Sequence, residues 1–193
     1  WDSESQVASP YLVHTAASWD GSDDILAAWN LAWDNDNLYI AAAVTDDTHV
    51  QTQSGPTIFR GDSLSLQFDT NREGDFGPTL SADDYQIDLS PGDFGTLSPS
   101  AVRYRGNVNG EIPEDPGHGI VVVARQTGNG YTLEAHVPAD CLNGFDPEQH
   151  RRIGFFYILE DQDLGKQSFT IGDQLHWHVD PSLWATAVLY KSS

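Results

Sequence analysis

Apolar residues recur at every second position in this chain, in short runs fenced by Gly, Pro, Asn and Asp. The clearest run is SLSLQFD at 63–69: Leu64, Leu66 and Phe68 fall on one side, Ser63, Ser65, Gln67 and Asp69 on the other. Side chains alternate sides along a strand, so this spacing predicts strands with one face on a core. The same reading applies to 38–44 (LYIAAAV), 84–89 (DYQIDL), 131–137 (YTLEAHV), 153–159 (IGFFYIL) and 185–190 (ATAVLY), and to the apolar run 120–124 (IVVVA). Thr127-Gly128-Asn129-Gly130 separates two of these runs and predicts a β-hairpin. No stretch carries a sustained helical stripe, and 23–28 and 139–142 are the best short helical segments. The expected fold is all-β: an antiparallel β-sandwich, jelly-roll or immunoglobulin-like, as a single domain over 1–193.

Charge narrows the partners. There are 29 Asp and Glu against 9 Lys and Arg, a formal net charge of -20 over 193 residues. That field repels phosphate backbones and anionic lipid surfaces, so neither nucleic acid nor a membrane is an expected partner. Divalent cations suit it, and so does plain solubility. Cys141 is the only cysteine, which excludes an internal disulfide and a cysteine-built zinc site. No apolar run reaches the length of a membrane span, and the first residues lack a signal-peptide pattern, so the chain reads as a soluble, mature domain.

The acids gather where strands end. Asp69, Asn71 and Asp75 follow the 63–69 run, Asp84 opens the next strand, and Asp46 with Asp47 closes the 38–44 run. Carboxylates held at ~4 Å repel by about 4 kcal/mol per pair at an effective dielectric near 20, and a bound cation removes that cost. Asp46, Asp69, Asn71, Asp75 and Asp84 are therefore the expected ligands of structural calcium, a cation that takes oxygen donors. The same residues are also ordinary turn formers. The spacing is not that of an EF-hand. No Gly-x-Ser-x-Gly elbow, phosphate-binding glycine loop or His-Glu-x-x-His is present, so no enzymatic activity is expected.

One stretch leaves three readings open: QLHWHVDPSLW, 174–184. His176 and His178 share one side of a strand and offer a metal pair. Trp177 offers an aromatic platform for a ligand. Trp184, after the turn-forming Asp180-Pro181, reads as core.

The order of motifs along the chain resembles a known family. Trp33-Asp34 precedes Leu38-Tyr39-Ile40; Val44-x-Asp46-Asp47 follows, then Arg60-Gly61-Asp62-Ser63-Leu64-x-Leu66-x-Phe68-Asp69. Next come Asp83-Asp84-Tyr85-Gln86, Gly130-Tyr131-Thr132-Leu133-Glu134-Ala135-x-Val137-Pro138, Ile153-Gly154-Phe155 with Asp161, and Asp180-Pro181-Ser182-x-Trp184. This series resembles the family 9 carbohydrate-binding modules and their wider sugar- and haem-binding sandwich relatives. The resemblance implies a non-catalytic sandwich with structural calcium, binding a carbohydrate ligand and covalently attached to the catalytic domain of a secreted, polysaccharide-degrading enzyme. It also implies a sugar held between two rings. Phe59 stands where relatives place the first tryptophan, beside Arg60, and His178 where they place the second, with Trp177 one step away. Ser65 stands where an acid is expected, and Asp88 where a base is expected. The expected sugar site is thus Phe59, Arg60, Trp177 and His178. The alternatives are a transition-metal- or haem-binding sandwich using His176 and His178, with His14, His49 or His136 as a third ligand, and a protein-interaction module with exposed aromatics.

Overall fold

Alternation sorts each strand into a core side and an outer side, and two sheets result. A computed structural model describes residues 6–7, 13–14, 21–72, 77–107, 109–114, 117–143, 145–148, 152–163, 168–171 and 180–189. The first sheet runs in the order β1 (Gln6–Val7), β3 (Ile25–Trp33), β4 (Asn37–Asp46), β10 (Gly130–Pro138), β9 (Val121–Thr127). The second runs β2 (Val13–His14), β12 (Ser168–Ile171), β11 (Arg152–Asp161), β5 (Ser63–Asp69), β6 (Asp84–Ser90), β7 (Ser100–Asn107), β8 (Gly110–Glu114). A further strand, β13 (Ala185–Val188), pairs with residues 152–155 of β11, while β12 pairs with 158–161. Every pairing is antiparallel. The expected all-β antiparallel sandwich is the observed one.

The core lies between the sheets. Leu64, Leu66 and Phe68 of β5 meet Ile87 and Leu89 of β6 and Ile153 and Phe155 of β11, and these face Leu38, Ile40, Tyr131 and Leu133 of the first sheet. Trp29 fills the middle, its ring 5.1 Å from both Phe155 and Tyr157. Trp184 is buried against Leu80, Phe156 and Ile158, as its reading as core required.

Local readings met different outcomes. Segment 23–28, read as a helical turn, belongs mostly to β3: ILAAWNLAW alternates buried and half-buried residues, but alanines on its outer side blur the contrast in sequence. The alternation names no strand between 90 and 119, where β7 and β8 lie. Pro113 is tolerated because β8 is the edge strand, where one side of the backbone has no ladder to serve. The one-turn helical segment expected at 139–142 is present as a short 3-10 turn, Ala139–Cys141. The hairpin over Gly128-Asn129 is as expected, joining Thr127 to its partner Gly130. Gly130 has φ of 137°, and a Cβ there would lie 2.1 Å from the Val44 carbonyl oxygen, so only glycine lets the hairpin close against β4.

Candidate functional site

The outer face of the second sheet is unlike an ordinary solvated face. Cross-strand pairing makes two rows: Ile158–Ser65–Asp88–Val102 and Phe156–Gln67–Gln86–Tyr104, read from β11 through β5 and β6 to β7. Each row is apolar at its two ends and polar in its middle. Leu80 and Trp184 pack on Phe156 and Ile158 at one side; Ile58 packs on Val102 and Tyr104 at the other. The result is a polar seam between two apolar walls.

Within the seam the side chains bond in one direction. The Gln67 amide Nε2 donates to Gln86 Oε1 (3.1 Å), Gln86 Nε2 donates to Asp88 Oδ1 (2.7 Å), and the Ser65 hydroxyl donates to the same oxygen (2.7 Å). Two acceptors remain: Asp88 Oδ2 and Gln67 Oε1 are buried without a hydrogen-bond donor. Burial raises the Asp88 carboxyl to about 6 against the pull of its hydrogen bonds from Ser65 and Gln86. A buried acceptor left unpaired is costly.

The short 3-10 helix Gly55–Arg60 lies over the β5, β6, β7 and β11 side of this face, anchored by the Tyr104 hydroxyl donating to the Pro56 carbonyl (2.9 Å). It carries two of the expected sugar-site residues. Phe59 is half-buried, Arg60 is exposed, and the guanidinium stands 5.5 Å from the Phe59 ring centroid. Trp177 and His178, and with them His176, lie outside the described residues.

A second chemical centre sits where β3 begins, β4 ends, β5 begins and β11 ends. His49 donates from Nδ1 toward Asp62 Oδ2 (3.0 Å) and Asp46 Oδ2 (3.3 Å), and from Nε2 to the Gly92 carbonyl (2.7 Å). Burial would lower its basicity, but hydrogen bonds to Asp46, Asp62 and Gly92 outweigh it and lift the imidazole to about 10, so the ring is a cation with both nitrogens engaged. Burial pushes Asp62 upward despite this partner. Beside it, Asp24, Asp47 and Asp163 each bring a carboxylate oxygen to within 4.8 Å of the others. No nitrogen or sulfur ligand belongs to this trio, which suits a hard, oxygen-seeking cation. Asp163 Oδ1 is buried without a hydrogen-bond donor, and burial together with the charges of Asp24 and Asp47 lifts this carboxyl to about 6.

The expected calcium ligands divide between two places. Asp46 belongs to the His49 cluster. Asp69 and Asp84 are cross-strand partners at the far end of β5, seven residues from Asp62 and so roughly 23 Å away at about 3.3 Å per residue. One ion cannot serve both ends. Asp69 Oδ1 accepts from the Asn71 backbone (3.1 Å), its Oδ2 lies 3.7 Å from Arg72 Nε, and Asp84 Oδ2 accepts from Ser81 N (2.6 Å). Asp75 lies outside the described residues. Sequence reasoning marked Asp47 only as a neighbour of Asp46 and passed over Asp24 and Asp163, which are far apart in sequence and meet only because β3, β4 and β11 end together.

Of the histidines offered as third metal ligands, His49 is committed to its aspartates, and His136 places Nε2 2.5 Å from Asn37 Oδ1 with its ring beside Tyr39. The side chain of His14 lies outside the described residues.

Two antiparallel sheets with an amphipathic seam on one outer face define an all-β binding sandwich. The chain belongs to the family described as "Carbohydrate family 9 binding domain-like", whose model matches residues 1–192. A family 9 carbohydrate-binding module from Caldicellulosiruptor kristjanssonii, solved with cellotriose, has a similar fold: TM-score 0.70 and 18% identity, covering 98% of this chain and 84% of that one. Such a module from the same organism, solved with glucose, gives 0.70 and 19%, covering 98% and 86%. No curated protein sequence matches the chain.

Proposed function

We propose that this chain is a non-catalytic carbohydrate-binding module that takes a sugar over the seam of Ser65, Gln67, Gln86 and Asp88, with Phe59 and Arg60 on the overlying helix. The observation that carries this reading is the pair of rows with polar middles and apolar ends. A sugar has the matching character, hydroxyls around its edge and C–H groups on its faces, so one sheet face with a polar middle and apolar flanks suits both. Family membership and the sugars in the C. kristjanssonii structures support the same class of ligand. Trp177 and His178 complete the proposed site on the strength of sequence resemblance alone.

Structural calcium belongs to this reading. Asp24, Asp47 and Asp163 would hold it, and its charge would remove the repulsion among them and pin the ends of β3, β4 and β11 together. We also take the module to act outside the cell, attached to a polysaccharide-degrading catalytic domain, as the family resemblance suggests. Titration calorimetry of the whole chain with glucose, cellotriose and insoluble polysaccharides, with calcium present, tests the sugar assignment. Saturable heat that Phe59→Ala and Arg60→Ala weaken is the expected result. Failure to bind any mono-, oligo- or polysaccharide would overturn it.

A further inference from the structure

We propose that the seam selects among sugars by charge: it receives hydroxyl- or amino-bearing glycans and rejects those carrying a carboxylate. This rests on the carbohydrate-binding reading above and adds the ligand class.

Three observations lead there. Asp88 and Gln67 are both fully buried, and each presents an acceptor, Asp88 Oδ2 and Gln67 Oε1, that no protein donor meets. The relay from Gln67 through Gln86 to Asp88 spends one N–H of each amide on a protein acceptor and leaves unmet acceptors at its two ends. Hydroxyl and ammonium groups bring donors that suit such a surrounding, whereas a carboxylate brings only further acceptors. The second observation is charge. Asp88 is held by the neutral Ser65 and Gln86, and among the described residues no cation lies in the seam to cancel its field. Glu160 lies on the same outer face, paired with Ser63, and the whole chain carries -20. The third is position. Arg60, the cation on the overlying helix, is exposed and its guanidinium lies against the Phe59 ring, where solvent and salt screen it. Buried charges are screened far less, so Asp88 sets the sign of the potential at the floor. A sugar carboxylate ~6 Å from that charge, at an effective dielectric near 20, binds about a hundredfold more weakly than the neutral sugar. Because this repulsion acts through space, it operates even though Asp88 itself is covered.

The test is a matched comparison by titration calorimetry on the whole chain at pH 8: glucose, glucosamine and glucuronic acid, which share one ring. The expected result is that glucose and glucosamine bind, with glucuronic acid at least fiftyfold weaker than glucose. Asp88→Asn, shown to be folded by its melting transition, should narrow the glucose-to-glucuronate ratio at least tenfold. Glucuronic acid binding as tightly as glucose in the unmodified chain, or an unchanged ratio in folded Asp88→Asn, would overturn charge selection while leaving sugar binding intact. Absence of binding by all three, together with cellotriose, would remove both. The unmodified chain's ratio is decisive by itself should Asp88→Asn not fold.

Discussion

His49 and Asp62 join the end of β4 to the start of β5 through a 3.0 Å contact between imidazole Nδ1 and carboxylate Oδ2, with Asp46 at 3.3 Å on the same nitrogen. Asp62 also accepts from the backbone of Val50 (2.5 Å) and Gln162 (2.8 Å), so one carboxylate gathers the β4–β5 connection and the end of β11. Asp62 is fully buried. Removing the cation leaves two acids without it, and breaking a buried pair from one side costs about 3–5 kcal/mol. His49→Leu should lose about that much in urea unfolding. A loss below ~1 kcal/mol would mean that the network is not a structural tie.

Metal removal probes the neighbouring trio. With calcium bound by Asp24, Asp47 and Asp163, chelation should lower the melting temperature and added calcium should restore it, by an amount that grows with free calcium concentration. Asp163→Asn should weaken that response, whereas Asp84→Asn at the far end of β5 should leave it in place. Melting curves that ignore both chelator and calcium would remove the ion from the fold.

Asp88 gives a pH signature. Its carboxyl titrates at about 6 in the fold against 3.8 ordinarily. The native state therefore holds the proton more tightly than the unfolded chain does. Stability from this group is fully present below about pH 4 and is lost as the pH rises through 6, by up to about 3 kcal/mol. Denaturant midpoints from pH 4 to 8 should thus fall more steeply for the unmodified chain than for Asp88→Asn. Parallel profiles for the two proteins would contradict the assignment.

Gly154 of β11 faces Asp69 of β5, and a Cβ added there would lie 2.7 Å from the Asp69 Cβ. Both sit in paired, buried strands with no room to separate. Gly154→Ala should cost about 1–3 kcal/mol, the usual range for overpacking, and leave sugar binding unchanged because the seam lies further along β5. Calorimetric melting and a sugar titration on one sample check both parts.

The alternating runs of the sequence carried much of the sandwich. Residues 63–69 read as a strand because Leu64, Leu66 and Phe68 alternate with polar partners, and β5 has those same bounds. Strand β3 was harder, since Ala28 and Ala32 on its outer side remove the contrast on which periodicity depends. Strand β8 was hidden by Pro113, which its edge position tolerates. Phe59 and Arg60, named from their place before the Gly-Asp-Ser run, lie together on one short helix.

What the sequence by itself determined was which faces are apolar, that one cysteine allows no disulfide, and that carboxylates concentrate where strands end. What only the tertiary structure decided was which of those groups meet. Asp24, Asp47 and Asp163 form one cluster and Asp69 with Asp84 another, because strand direction and register carry residues distant in sequence to one end of the sandwich or the other. The seam has the same origin. Ser65, Gln67, Gln86 and Asp88 read as the solvent side of two half-buried strands, yet Ile58, Leu80 and Trp184 cover the walls beside them and turn that side into a buried polar floor. Periodicity records which way a side chain points along its own strand; what lies above it is settled by distant segments packing there.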